Sequence, residues 1–143
     1  MKFLEERLVA LDVVATTPEE TIRKAGELLV QQGAVEESYI DAMLLSYEEN
    51  GPYFVLAPQI ALPHARPEDG VKEASVSLVR LKKPLNFGSE RNDPVKFVFA
   101  LGASSSEEHL EILQKLTVLL NDQHNLEKLE SAEDYQQIKA LFN

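Results

Sequence analysis

Apolar positions along the chain follow two alternating periodicities, which lay out strands and helices in turn. Leu8 to Val14 is apolar and β-branched, with charge before it and turn residues after it, the pattern of a first strand. Thr17-Pro18-Glu19-Glu20 then forms a capping box with proline at the first helical position. Behind it Ile22, Ala25, Leu28 and Leu29 recur at helical spacing, and Gly33 offers a stop. A second helix is predicted from Glu36 to Glu49, with Tyr39, Ile40, Met43 and Leu44 on one face and Gly51 beyond its end.

Between Tyr53 and Pro63 two short apolar runs are broken at Pro58-Gln59, which predicts short strands or an extended approach to a loop. Ala74 to Lys82 alternates as a strand through Val76, Leu78 and Leu81. Val95 to Leu101 is a near-continuous apolar run, as in a central buried strand. Ser105-Ser106-Glu107-Glu108 predicts another helix start, followed by Leu110, Ile112, Leu113, Leu116 and Leu120 on one stripe. Ser131 is expected to cap a last short helix carrying Tyr135, Ile138 and Leu141. Strands interleaved with helices predict an α/β fold whose sheet is covered on both faces. With no repeat, linker or low-complexity tract, residues 1–143 read as a single domain.

Composition narrows the chemistry. There is no cysteine, so disulfides, a thiol nucleophile and thiolate metal sites are excluded. Fourteen Lys and Arg against 24 Asp and Glu give a formal charge of −10, which repels the phosphates of nucleic acids and favours encounter with basic protein surfaces. No run approaches the roughly 18 apolar residues of a membrane helix, and Met1 to Glu6 lacks the pattern of a signal peptide. A cytoplasmic protein is expected.

Three histidines remain as candidate reactive groups. His64 follows an apolar run and sits between Pro63 and Pro67, which restrict the backbone on either side of its imidazole. Such a loop holds a nucleophile in fixed orientation, and a neutral imidazole can attack phosphorus. Arg66, two residues on, projects to the same side in an extended segment and could pair with phosphoryl oxygens through its planar fork. The residues alone also allow a plainer reading, in which His64 caps a Pro-rich turn and Arg66 is a surface charge. Glu68 and Asp69 read as a turn and an acidic edge facing a partner.

His109 falls in the first turn of the predicted helix after Ser105, where exposed N–H groups and the helix dipole favour anions. It is either a second imidazole steadying a phosphoryl group on His64 or a solvated first-turn residue. His124, beside Asp122, Gln123 and Asn125, reads as a polar loop residue without a role. No His-x-x-x-His or His-Glu-x-x-His pattern supports a metal site, and isolated glycines at 70, 88 and 102 do not make a phosphate loop. Tyr53 and Phe54 are read as packing beneath the His64 segment, with partner contact as the other possibility.

The stretch Gly51-Pro52-Tyr53-Phe54-Val55-Leu56-Ala57-Pro58, continuing to Pro63-His64-Ala65-Arg66-Pro67-Glu68-Asp69-Gly70-Val71, resembles the enzyme IIA component of the bacterial sugar phosphotransferase system. Within its mannitol/fructose superfamily the ascorbate-type members are most similar, and Leu81 to Phe87 and Asn92-Asp93-Pro94-Val95 share that resemblance. The resemblance implies a mixed β-sheet flanked by helices. It further implies that His64 accepts phosphate from the carrier HPr and donates it to a cysteine of enzyme IIB, with the membrane component enzyme IIC reached only indirectly. His109 matches the second histidine of the family, and transfer there needs no metal or bound cofactor. Ser46-Tyr47-Glu48-Glu49 stands where mannitol-type relatives carry an arginine, whose charge Arg66 could replace, and Gln59 stands where many ascorbate-type members have glycine. A regulatory module reporting phosphorylation state and a metal-dependent hydrolase built on His64 and His109 are the alternatives from other classes.

Overall fold

The computed structural model describes residues 1–143. Its strands are β1 (Lys2–Phe3), β2 (Val9–Val13), β3 (Val55–Ala57), β4 (Ile60–Ala61), β5 (Ser75–Leu85) and β6 (Val95–Gly102). Its helices are α1 (Pro18–Gln31), α2 (Glu37–Asn50), α3 (Ser106–Leu120), α4 (Gln123–Ser131) and α5 (Tyr135–Lys139). The strands form one mixed sheet. Both β1 and β2 run parallel along one edge of β5, and β6 pairs antiparallel on its other side. β4 lies parallel to β6, and β3 closes onto β4 as an antiparallel hairpin.

Two cores result, one on each face of the sheet. On one face Val79, Leu81, Val98 and Ala100 pack with Ile22, Ala25 and Leu29 of α1 and with Tyr39 and Met43 of α2. On the other, Val76, Leu78, Phe97, Phe99 and Leu101 meet Ile112, Leu116 and Leu119 of α3, Leu129 of α4 and Ile138 of α5. The split follows the two-residue alternation of the central strands, whose successive side chains point to opposite faces. Each fully buried Leu, Val or Phe contributes roughly 1.5–3 kcal/mol over exposure, so both layers are held to the sheet. The α/β architecture with helices on both faces is the one expected. No helix is long and apolar enough to cross a membrane.

α1 begins as predicted, with the Thr17 hydroxyl accepting the Glu20 N–H at 3.1 Å and Pro18 in its first turn. The Glu20 carboxylate reaches one residue further back than in a standard capping box and takes the Thr16 N–H at 2.7 Å. α1 and α2 approach so closely that a Cβ on Gly26 would lie 2.7 Å from Ile40 Cγ1.

Several expectations need correction. Leu8 is buried in a short 3-10 turn ahead of the first main strand, which starts at Val9. Leu110 is 57% exposed. It lies about 200° around the helix from Ile112, outside the stripe formed by Ile112, Leu116 and Leu119. Ser131 ends α4, and Asp134 caps α5 by accepting the Gln137 N–H at 3.1 Å. His124 lies in the first turn of α4, which Asp122 caps.

Candidate functional site

The parallel pair β4 and β6 builds the site. Ile60 pairs with Phe97 and Ala61 with Val98, so both strands end at the same edge of the sheet. Beyond Ala61 the chain keeps contact with β6, because the Leu101 N–H donates to the Pro63 carbonyl at 3.2 Å. His64 comes next. Beyond Gly102 the other strand turns into α3, which carries His109 in its opening turns. Histidines far apart in sequence thereby meet, their ring centroids 5.3 Å apart at 52°.

The His64 ring is oriented by its own loop, since Nδ1 lies 2.8 Å from the Leu62 carbonyl oxygen. A carbonyl can only accept, so Nδ1 carries a proton, and in the neutral ring that tautomer leaves the lone pair on Nε2. Tyr53 meets the ring edge-on at 6.4 Å, and its hydroxyl is 2.9 Å from that of Ser46. Phe54 is buried beneath the loop while Tyr53 stays 48% exposed, so these neighbours divide between packing and surface.

Tyr39 of α2 pins the loop. Its buried hydroxyl donates to the Leu101 carbonyl at 2.6 Å and accepts the Ala65 N–H at 3.0 Å. Burial pushes the phenol up to about 12, since the charged form would lose its hydration. Sequence reading placed Tyr39 only on the apolar face of α2. A tyrosine on a face otherwise built from Ile and Met was the available signal, because a buried phenol needs a partner.

His64, His109, Tyr39, Leu101, Ser105 and Ser106 line a cleft of about 280 Å³, which Ala65, Arg66, Pro67 and Ala103 complete. Ser105 caps α3 by accepting the Glu108 N–H at 3.1 Å, and the Glu108 carboxylate accepts the Ser104 N–H at 2.8 Å. The first-turn N–H groups of a helix have no carbonyl one turn back. They therefore give this wall of the cleft a preference for anions. Burial, then repulsion from His64, holds His109 below the usual imidazole range. It is thus disposed to be neutral at pH 7.

Arg66 lines the same cleft, on extended backbone with φ −84° and ψ 155°. Its guanidinium is engaged by carboxylates, donating to both Asp69 oxygens at 3.4 Å and lying 3.4 Å from Glu68. Pro67–Asp69 forms a 3-10 turn, the turn expected for Glu68 and Asp69. No group of three or more His, Cys, Asp or Glu side chains is arranged to hold a metal ion.

The arrangement brings two imidazoles together beside an anion-favouring helix start. The model of the family described as phosphoenolpyruvate-dependent sugar phosphotransferase system, EIIA 2, matches residues 2–143. The ascorbate-specific PTS system EIIA component of Shigella boydii is 37% identical over 140 residues, covering 97% of this chain and 91% of that protein. Among solved structures, the mannitol-specific cryptic phosphotransferase enzyme IIA CmtB of Escherichia coli superposes with a TM-score of 0.86 at 31% identity, covering 97% of this chain and 94% of that one. Enzyme IIA in the Escherichia coli complex of mannitol enzyme IIA with phosphorylated enzyme IIB gives 0.85 at 32% identity, covering 98% and 97%.

Proposed function

Because the chain belongs to the phosphoenolpyruvate-dependent sugar phosphotransferase system EIIA 2 family, we propose that it carries a phosphoryl group on His64, taken from HPr and handed to a cysteine of enzyme IIB. The observation that carries the reading is the 2.8 Å contact from Nδ1 to the Leu62 carbonyl, which leaves Nε2 as the attacking nitrogen. Its lone pair forms the new N–P bond as the bond to the donor imidazole breaks and that electron pair returns to the donor ring. Nδ1 keeps its proton, so phospho-His64 is a cationic ring steadied by the Leu62 carbonyl. Attack by the enzyme IIB thiolate breaks the N–P bond, and the pair returns to Nε2 to restore the neutral imidazole.

Phosphoryl transfer of this kind needs positioning and charge stabilisation more than covalent chemistry, so no metal or bound cofactor is required. His109, as a neutral donor, and the start of α3 would receive phosphoryl oxygens on one side, with the Arg66 fork at the rim. The 143 residues act as one enzyme IIA unit in the cytoplasm, and enzyme IIC is served only through enzyme IIB. Similarity to ascorbate-specific EIIA components supports L-ascorbate as the transported sugar.

The test is incubation with phosphoenolpyruvate, enzyme I and HPr, read by intact mass. One acid-labile phosphoryl is expected on the wild type and none on His64→Ala. Equal phosphorylation of both proteins, or none on the wild type with partners that charge another enzyme IIA, would overturn the reading. Transfer onward to an ascorbate-type enzyme IIB, and not to a mannitol-type one, tests the sugar.

A further inference from the structure

His64, Ala65 and Arg66 form a ridge between two clefts. The cleft with His109 lies on one side. On the other a second cleft, of about 450 Å³, is bordered by Ser46, Tyr53 and Asp69. Arg66 lines both clefts, two residues along the chain from His64.

The two members of the Arg66–Asp69 pair are not equally free. The Asp69 carboxylate accepts the Arg66 backbone N–H at 2.9 Å, and the Asp69 carbonyl accepts the Ser38 hydroxyl at 3.1 Å, which ties the residue to α2. Its side chain is 22% exposed, whereas that of Arg66 is 75% exposed. Asp69 is the fixed anchor and the guanidinium the movable partner. Both fork contacts are long, at 3.4 Å, and an exposed pair of this geometry is weakly held. A phosphoryl dianion presents more charge and three acceptor oxygens to the same fork, so it competes well for it.

We propose that Asp69 is a positioning residue of the phosphoryl site, storing the Arg66 fork beside His64 in the free protein and giving it up to the phosphoryl group. No covalent bond changes in this exchange, since only the partner of the guanidinium differs. Its consequence is energetic: the strength of the Asp69–Arg66 pair sets how readily phospho-His64 forms and discharges. The proposal rests on the phosphocarrier reading above.

Asp69→Asn tests it, because the amide oxygen can still accept the Arg66 N–H and hold the turn while the charge is removed. Wild type, Asp69→Asn, Arg66→Gln and the double variant are each equilibrated with phospho-HPr, and the phosphorylated fraction is read by intact mass. With Arg66 present, Asp69→Asn shifts the equilibrium toward phospho-His64 by roughly four- to fivefold, the upper scale of one exposed ion pair. In the Arg66→Gln background the same change shifts it by about twofold, from simple charge repulsion. Phosphorylation also moves the Arg66 Nε–H signal in the NMR spectrum of the wild type. An equal shift of the equilibrium in both backgrounds, or an Arg66 signal that phosphorylation leaves in place, overturns the proposal and leaves the carrier reading standing. A wild type that never gains phosphate overturns both.

Discussion

Tyr39→Phe isolates what holds the His64 loop, because it removes one oxygen and keeps the ring that fills the core. The lost hydroxyl served a carbonyl at 2.6 Å and an N–H at 3.0 Å. Leu101 is only 1% exposed, so its carbonyl loses a partner that water cannot easily replace, whereas the half-buried Ala65 N–H can be solvated. One such buried orphan costs about 2 kcal/mol. For a domain of this size that lowers Tm by roughly 5–10 °C. The loop that carries His64 also loses its tie to α2, and under the proposed function phosphoryl transfer from HPr should slow about tenfold or more through disturbed orientation.

The phenol adds a signature in pH. Its folded pKa is raised from 10.0 to about 12. Its stabilising contribution is therefore complete below pH 10 and lost as pH rises through 12, because the unfolded chain releases the proton first. The stability difference between wild type and Tyr39→Phe, measured by urea unfolding, should be largest at pH 7 to 9 and shrink between pH 10 and 12. An unchanged Tm with an unchanged transfer rate would refute the argument, as would a difference that stays constant to pH 12.

Three other perturbations separate strain, capping and charge. Gln59 has φ 72°, with its N–H and carbonyl both bonded, to Asn92 and to Lys96 and Phe97; Gln59→Gly should raise stability by about 1 kcal/mol by removing the left-handed penalty, and a lower Tm would contradict this. Arg80 is buried in β5 and donates to the carbonyls of Leu129, Glu130 and Ala132 at the end of α4, so Arg80→Leu should cost about 3 kcal/mol, read by chemical denaturation. A loss below about 1 kcal/mol would show those carbonyls finding water instead. His109 has a depressed pKa from burial and from His64, so it favours the folded state above its unfolded value and that contribution disappears as pH falls through the folded one. His109→Gln should therefore flatten the loss of stability below about pH 6.5, and an unaltered acid profile would remove that assignment.

Arg80 and Ser77 also mark where the sequence misled. Ala74 to Lys82 looks half-buried because serine and arginine interrupt its apolar residues, yet Ser75 to Leu81 is buried throughout. Ser77 turns to α1, where its hydroxyl donates to the Ala25 carbonyl at 2.8 Å, and Arg80 turns the other way to cap α4. Periodicity cannot show a polar side chain whose partner is a distant carbonyl. α4 was missed for a related reason: of its nine residues only Leu129 is buried, so it carries almost no apolar stripe and is held at its ends. The long helices and β6 were legible because their apolar residues face a core directly.

At the site, His64 and the helix start before His109 could be read from proline placement and capping residues, whereas their proximity, found at 5.3 Å between ring centroids, was implied only by the family resemblance. It depends on β4 and β6 being parallel neighbours, a relation between segments that local pattern does not contain. The Leu62 carbonyl was equally invisible, since any residue at 62 would supply one. Arg66 was legible as a charge near His64, while its engagement by Asp69 emerged only from the shape of the turn.

The parallel pairing of β4 with β6 has a consequence for how such a protein can change. The His64 loop and the start of α3 leave from the ends of adjacent strands, whose separation backbone hydrogen bonds fix at about 4.8 Å, a spacing no side chain chooses. Substitutions around the rim can redraw the surface presented there without altering how far apart the two strand ends sit. The shape of the rim and the spacing of the frame beneath it are thereby set by different parts of the chain, and one can change while the other is kept.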